Sequence, residues 1–224
     1  MSAKERVSED PKVQNIIDEI EEDIQRERLN KIWEKYGNHF IAAAVAIVIG
    51  TGAFVTWKSW IQTRNAENTA AFIAALDTAQ ADDTQKAIDA LAALAKNTPE
   101  IQAALTNIQL AALKVRQGDQ EAAVAIYDRM AASPLPQAYR NLALFLSIQA
   151  QADMGDADSL LARIAPLTDT ESPWRSLARE LAATIHLRKG DKVAARALLE
   201  ANIDDADASA LLRGRDEALI KNME

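Results

Sequence analysis

The side chains able to do chemistry are few, and none is spaced for it. The two histidines, His39 and His186, stand far apart, with no second imidazole at the helical spacing that closes a metal site. The chain has no cysteine, which removes thiolate ligands, thiol nucleophiles and disulfides together. It has neither a Gly-rich phosphate loop nor a Gly-x-Ser-x-Gly turn. Carboxylates are abundant, but they read as solvent-facing helix positions or turns. His39 reads as an interfacial residue. His186, in IHLRKG, sits where a helix ends and a cation is mildly favoured. Arg163, Arg175, Arg179, Arg188 and Arg196 are spread over several helices and define no patch. No catalytic, cofactor-binding or metal-binding residue is assigned, no cofactor is expected, and the chain reads as a non-enzyme. A net charge of −8 argues against nucleic acid and anionic lipid as partners of its bulk.

With so little chemistry to position, the elements themselves carry the reading. Phe40 to Trp57, FIAAAVAIVIGTGAFVTW, contains no Asp, Glu, Lys or Arg. As a helix, Tyr36 to Trp57 covers roughly 31 Å, about the thickness of a bilayer core. Its large apolar residues contribute about −2 to −5 kcal/mol to insertion, partly offset by Gly50, Thr51 and Gly52. Trp33 and Tyr36 before the stretch, and Trp57 and Trp60 after it, are placed as anchors at the two headgroup levels. Arg26, Arg28, Lys31 and Lys35 outnumber Lys58 and Arg64 across the stretch. This bias predicts a cytoplasmic N-terminus and an exported C-terminal domain, hence a single-pass inner-membrane protein with a periplasmic domain if the host is a bacterium. The stretch begins 39 residues in, behind an acidic segment and without a cleavage pattern after it, so it is read as an anchor that is not removed. Ala42, Ala46 and Gly50 recur at four-residue spacing and mark a face where a second transmembrane helix, including one from another copy, could approach closely.

The expected division is therefore a cytoplasmic tail over 1–37, a transmembrane helix over 38–60 and a periplasmic domain over 61–224. In the tail, Asp10-Pro11 reads as a helix start, followed by Val13, Ile16, Ile17, Ile20 and Ile24 on one face and Asp18, Glu21 and Glu22 on the other. The pattern slips by one place and resumes at Leu29, Ile32, Trp33 and Tyr36. Two roles fit this helix: lying on or packing near the membrane, or docking a membrane partner.

The C-terminal domain is punctuated at a fixed period. Gly-Asp pairs stand at Gly118-Asp119, Gly155-Asp156 and Gly190-Asp191, 37 and 35 residues apart, with Asp82-Asp83 as a degenerate earlier copy. Out of phase with them run Pro99, Pro136 and Pro173, each 37 residues from the next. Each Gly-Asp closes one helix and opens another; Thr98-Pro99 and Ser172-Pro173 read as N-cap and first helical residue. The predicted helix pairs are 65–81 with 84–96, 99–117 with 119–132, 136–154 with 157–166, and 173–189 with 191–202. A capping helix over about 206–221 presents Leu211, Leu212, Leu219 and Ile220. The fold class is all-α: one transmembrane helix, then an α-solenoid of about four helix pairs with a C-terminal cap.

These units resemble tetratricopeptide repeats, on Ala123 and Tyr127 and more weakly Ala195 and Leu199 in the second helices, and on Trp174 with Leu177 and Tyr139 with Leu142 in the first. The first helices are about a turn and a half longer than the family's. Closer still, Trp57-Lys58-Ser59-Trp60 at the end of the span and KGDKVAAR over 189–196, in this arrangement of anchor and repeats, resemble the YfgM-like family of ancillary Sec translocon subunits. The resemblance runs from about residue 36 onward; the amphipathic tail before it departs from the family's shorter one. It implies association with the SecYEG channel and with a membrane-anchored periplasmic chaperone, near emerging substrates. An anchored scaffold for envelope assembly or division, unrelated to secretion, fits the same anchor and repeats. A periplasmic enzyme would need a polar pocket that the sequence does not show.

Overall fold

The structure is a computed structural model and describes residues 11–223 apart from Asp82 and Thr170, with side chains from Arg26 onward. Asp10, the side chains of the amphipathic stripe at 13–24 and the Asp82 half of the first turn lie outside the described residues. Among the described residues there are nine α-helices and no strand: α1 Pro11–Gln80, α2 Thr84–Asn97, α3 Glu100–Arg116, α4 Gln120–Ala131, α5 Gln137–Gln151, α6 Ala157–Ile164, α7 Arg175–Arg188, α8 Lys192–Ile203 and α9 Ala210–Asn222. A 3-10 turn, Ala165–Leu167, follows α6. The chain divides into two units, Met1–Asn65 and Ala66–Glu224.

The first unit is helical from Pro11. Its apolar segment is long and apolar enough to cross a membrane, and none of it is buried. The two threonines in this segment bond back to the helix itself. Thr51 Oγ1 donates to the Ile47 carbonyl at 2.7 Å, and Thr56 Oγ1 to the Gly52 carbonyl at 2.9 Å. Neither hydroxyl therefore needs water, which lowers the cost of a threonine in hydrocarbon.

The second unit is built of antiparallel helix pairs whose turns follow from the sequence. Gly118 and Gly190 take φ of 83° and 81°, a region that penalises any Cβ. The following amide reaches back five residues, Asp119 N–H to the Lys114 carbonyl and Asp191 N–H to the His186 carbonyl, both at 2.9 Å. The same aspartates then cap the next helix: Asp119 Oδ1 accepts from Ala122 N–H and Asp191 Oδ1 from Ala194 N–H. Asp83 caps α2 and Asp156 caps α6 in the same way. Gly155 is favoured for a different reason, close packing. A Cβ there would meet the Gln151 carbonyl at 3.0 Å and Leu160 Cδ1 at 3.1 Å.

The proline ends differ from expectation. Pro99 and Pro136 are themselves the N-caps of α3 and α5, one position outside the helix. Thr98 does not cap α3; its hydroxyl donates to the Leu94 carbonyl at 2.7 Å and closes α2 instead. Helix α7 starts at Arg175, two residues later than predicted, after a turn in which Ser172 Oγ accepts from Trp174 N–H. Helix α5 stops at Gln151, so part of the long Tyr139-to-Gly155 spacing is turn rather than helix.

The core is a series of small clusters between neighbouring helices. Ala75, Ala79, Ile88, Leu91, Leu110 and Leu113 join α1, α2 and α3. Ala111, Ala123 and Tyr127 join α3 to α4, so the alanine and aromatic of the repeat pattern meet in the interior. Ile148, Leu160, Ile164, Leu181 and Ile185 join α5, α6 and α7. Ala183, Ala195 and Leu199 join α7 to α8, with Leu219 and Ile220 of α9 against them. The cap face is set by Leu212, which is buried, whereas Leu211 is 80% exposed and lies off it.

Candidate partner-binding surface and membrane span

In the first unit, the residues singled out by sequence all face outward. Ala42, Ala46 and Gly50 are exposed on α1, and a Cβ added at Gly50 would meet nothing within 4 Å. Trp33, Tyr36, Trp57 and Trp60 are also exposed. The rings are held by local partners. Trp57 and Trp60 lie with centroids 5.8 Å apart, and the Arg64 guanidinium sits 5.1 Å from the Trp60 ring. At the other end Lys35 lies 5.3 Å from the Tyr36 ring, His39 meets Tyr36 edge-on, and Trp33 covers Gly37. Aromatic-cation clusters therefore bracket the charge-free segment on both sides, an arrangement suited to an apolar body with wet ends.

In the second unit, clefts open between helices among the described residues, and three of them bear on the repeat pattern. The first, about 370 Å³, lies between α5, α7 and α9, with Phe145, Leu177 and Leu181 as its apolar part and Gln149, Glu180, Thr184 and Arg215 as its polar part. The second, about 460 Å³, lies where α5 and α7 begin and is lined by Gln137, Asn141, Asp169, Glu171 and Trp174. Trp174 connects the two, because its ring stacks on Phe145 with centroids 6.3 Å apart. The third, about 290 Å³, occupies the equivalent place one unit earlier, between Thr98, Glu100, Asn107, Arg129 and Ser133. Leu177 belongs to the repeat pattern yet stays exposed, facing the first cleft. At the rim Arg215 donates to Glu180; this bond raises the Arg215 pKa, so the guanidinium stays charged. Clefts of this size with mixed apolar and amide-bearing walls have the composition found at protein-binding surfaces.

Several polar groups are placed differently from the sequence reading. Arg175 and Arg179 converge on one carboxylate. Arg175 binds Asp205 through Nε at 2.6 Å and Nη2 at 2.9 Å, and Arg179 Nη1 reaches Asp205 at 3.1 Å. This pairing holds the Asp205 carboxyl well below the usual carboxylate range and raises the Arg175 pKa. Arg163 and Ser147 meet on Asp128, the Ser147 hydroxyl donating at 2.6 Å. Arg188 donates to the Gly155 carbonyl. Arg163 and Arg188 tie neighbouring helix pairs together, and Arg175 and Arg179 tie α7 to the loop between α8 and α9. Not all carboxylates face solvent, since Asp216 on α9 is fully buried beside Asn202 of α8, also fully buried. The signal was present in the sequence: Asp216 falls on the Leu212, Leu219, Ile220 stripe, and Asn202 on the Ala195, Leu199 stripe. His186 lies in the last turn of α7 with Nδ1 3.4 Å from Asp191 Oδ2. Among the described residues no group of His, Asp and Glu is arranged to hold a metal ion.

The model of the tetratricopeptide repeat-like domain family matches residues 30–221, most of the chain. The chain belongs to this family. The match takes in the apolar segment as well as the repeats, so the tetratricopeptide repeat-like domain here includes residues on both sides of Asn65. No curated protein and no solved structure matches the chain. Membership gives a helical-repeat scaffold of the kind that mediates protein–protein interaction.

Proposed function

We propose that this protein is a single-pass, membrane-anchored interaction scaffold and an ancillary subunit of the Sec translocon. The observation that carries the anchor is the charge-free segment, exposed along its whole length and bracketed by aromatic rings. In this reading residues 38–60 cross the bacterial inner membrane, 1–37 stay in the cytoplasm and 61–224 form the periplasmic domain. The basic residues at 26–35 support the orientation. The resemblance of Trp57-Lys58-Ser59-Trp60 and the 189–196 segment to the YfgM-like family supports the SecYEG channel and a membrane-anchored periplasmic chaperone as partners. The clefts around Trp174 and Leu177 are the surfaces that would receive the chaperone or an emerging substrate, and no catalytic role is assigned.

The test is purification of the full chain from its host in mild detergent, followed by mass spectrometry. Recovery of channel subunits with a periplasmic chaperone is the expected result. Recovery of cell-wall enzymes without channel subunits, together with enrichment at the septum, would replace this reading with an envelope-assembly scaffold.

A further inference from the structure

Asp216 and Asn202 form a buried pair that lacks one hydrogen atom. Both side chains are fully buried. Asn202 Nδ2 donates to the Ser176 carbonyl of α7 at 2.8 Å and to Asp216 Oδ2 of α9 at 2.8 Å, which uses both amide hydrogens. The two remaining oxygens, Asn202 Oδ1 and Asp216 Oδ1, are buried with no partner. Turning the amide over would set its oxygen against two acceptors, so the amide orientation is fixed by its surroundings. An ionised Asp216 thus leaves two buried acceptors without a donor from the protein, an arrangement that native structures avoid. A single proton on Asp216 Oδ1 corrects both, because it converts one acceptor into a donor for the other.

We propose that Asp216 is protonated in the folded domain at neutral pH, and that its O–H closes a two-bond acid–amide ring with Asn202 that latches the capping helix onto the last repeat. Opening is a simple ionisation: the carboxylic acid becomes carboxylate, the proton passes to water, and the ring loses one bond while gaining an unpaired buried charge. The surroundings favour the closed form. Burial comes first in raising the Asp216 pKa; the bond accepted from Asn202 is the largest opposing influence, Glu180 of α7 adds to the rise and Arg215 of α9 opposes it, and the net direction is upward. Those two groups are bonded to each other, α8 contributes the neutral Asn202, and Arg179 of α7 is turned to Asp205 and the Ala201 carbonyl. The latch bears on partner binding through Arg215, one residue away, which walls the cleft beside Leu177. Ionising Asp216 loosens that wall. Nothing in the ring depends on which partner the cleft receives.

The experiment is infrared spectroscopy and urea unfolding of the full chain in detergent micelles across pH. At neutral pH the wild type should show a carboxylic-acid C=O band that Asp216→Asn lacks. Folding should take up one proton, so the folding constant of the wild type falls about tenfold per pH unit above the ordinary Asp value of 3.8 until Asp216 ionises. Asp216→Asn, whose amide can donate to Asn202 Oδ1, should lose that dependence and equal or exceed the wild type at neutral pH. If Asp216→Asn does not fold, Asp216→Leu, which continues the Leu212 and Leu219 stripe, supplies the reference spectrum. The absence of an acid band from the wild type at neutral pH overturns the proposal, as does an unchanged pH slope in the folded variant.

Discussion

Replacing Ile148 by alanine tests whether the repeat unit is held together pair by pair. Ile148 is fully buried on α5 and belongs to the cluster formed by Leu160 and Ile164 of α6 with Leu181 and Ile185 of α7. The substitution removes three carbons, worth about 2.4 kcal/mol at ~0.8 kcal/mol per buried methylene. The cavity left between three helices brings the loss to about 3–4 kcal/mol. For a domain of this size that lowers Tm by roughly 10 °C. The cluster shares no residue with the one joining α1, α2 and α3, where Ile88, Leu91 and Leu110 lie. In a stack coupled only to nearest neighbours, the loss should concentrate near the lesion. Hydrogen exchange followed by mass spectrometry should therefore show faster exchange in α5, α6 and α7 and little change in α2. Equal loss of protection in α2 and α6, or a Tm change below about 2 °C, would refute this account of the fold.

Three further outcomes follow from the geometry. Gly118→Ala and Gly190→Ala should each cost about 1 kcal/mol in urea unfolding, because both residues sit at positive φ; a variant as stable as the wild type would contradict the turn assignment. Asp205→Ala should lower Tm by unseating Arg175 and Arg179. Since the Asp205 pKa is lowered, the stability it contributes is complete above its ordinary value of 3.8 and is lost only as pH falls from there through the much lower folded value; the Tm gap between wild type and variant should be constant from neutral pH to about pH 5 and narrow steadily below about pH 4, and a gap that widens on acidification would contradict the pairing. Leu177→Asp, at an exposed position in the cleft beside Phe145 and Arg215, should change Tm by less than about 2 °C while cutting partner recovery in pull-downs; undiminished recovery would remove that cleft from the binding surface.

The helix pairs were legible because their punctuation is local. A glycine that must take positive φ, followed by an aspartate that caps the next helix, marks a turn without reference to anything distant, and Gly118-Asp119 and Gly190-Asp191 do both. The start of the cap was harder to place. Asp204, Asp205, Asp207 and Ser209 are all competent N-caps, and α9 begins after Ser209 because Asp205 is held by Arg175 and Arg179 from about 30 residues away. The same distance hid the arginine cluster: Arg175 and Arg179 share one face of α7, but their common carboxylate lies beyond α8. The buried Asp216 was readable from the stripe through Leu212 and Leu219, yet a carboxylate on an apolar face is read as surface by habit of type. The clefts come from how neighbouring first helices stand apart around Trp174 and Phe145, and spacing along one chain carries no such information.

In the proposed function the apolar segment of α1 crosses the membrane and would place the repeat scaffold beside a membrane partner. Site-specific photocrosslinking in cells, with probes at Ala42, Ala46, Gly50 and Trp57 and identification by mass spectrometry, addresses it most directly. Crosslinks to the SecYEG channel or to an associated membrane-anchored chaperone are the predicted result. Crosslinks confined to a second copy of this chain, or to no protein at all, would contradict the placement beside the translocon.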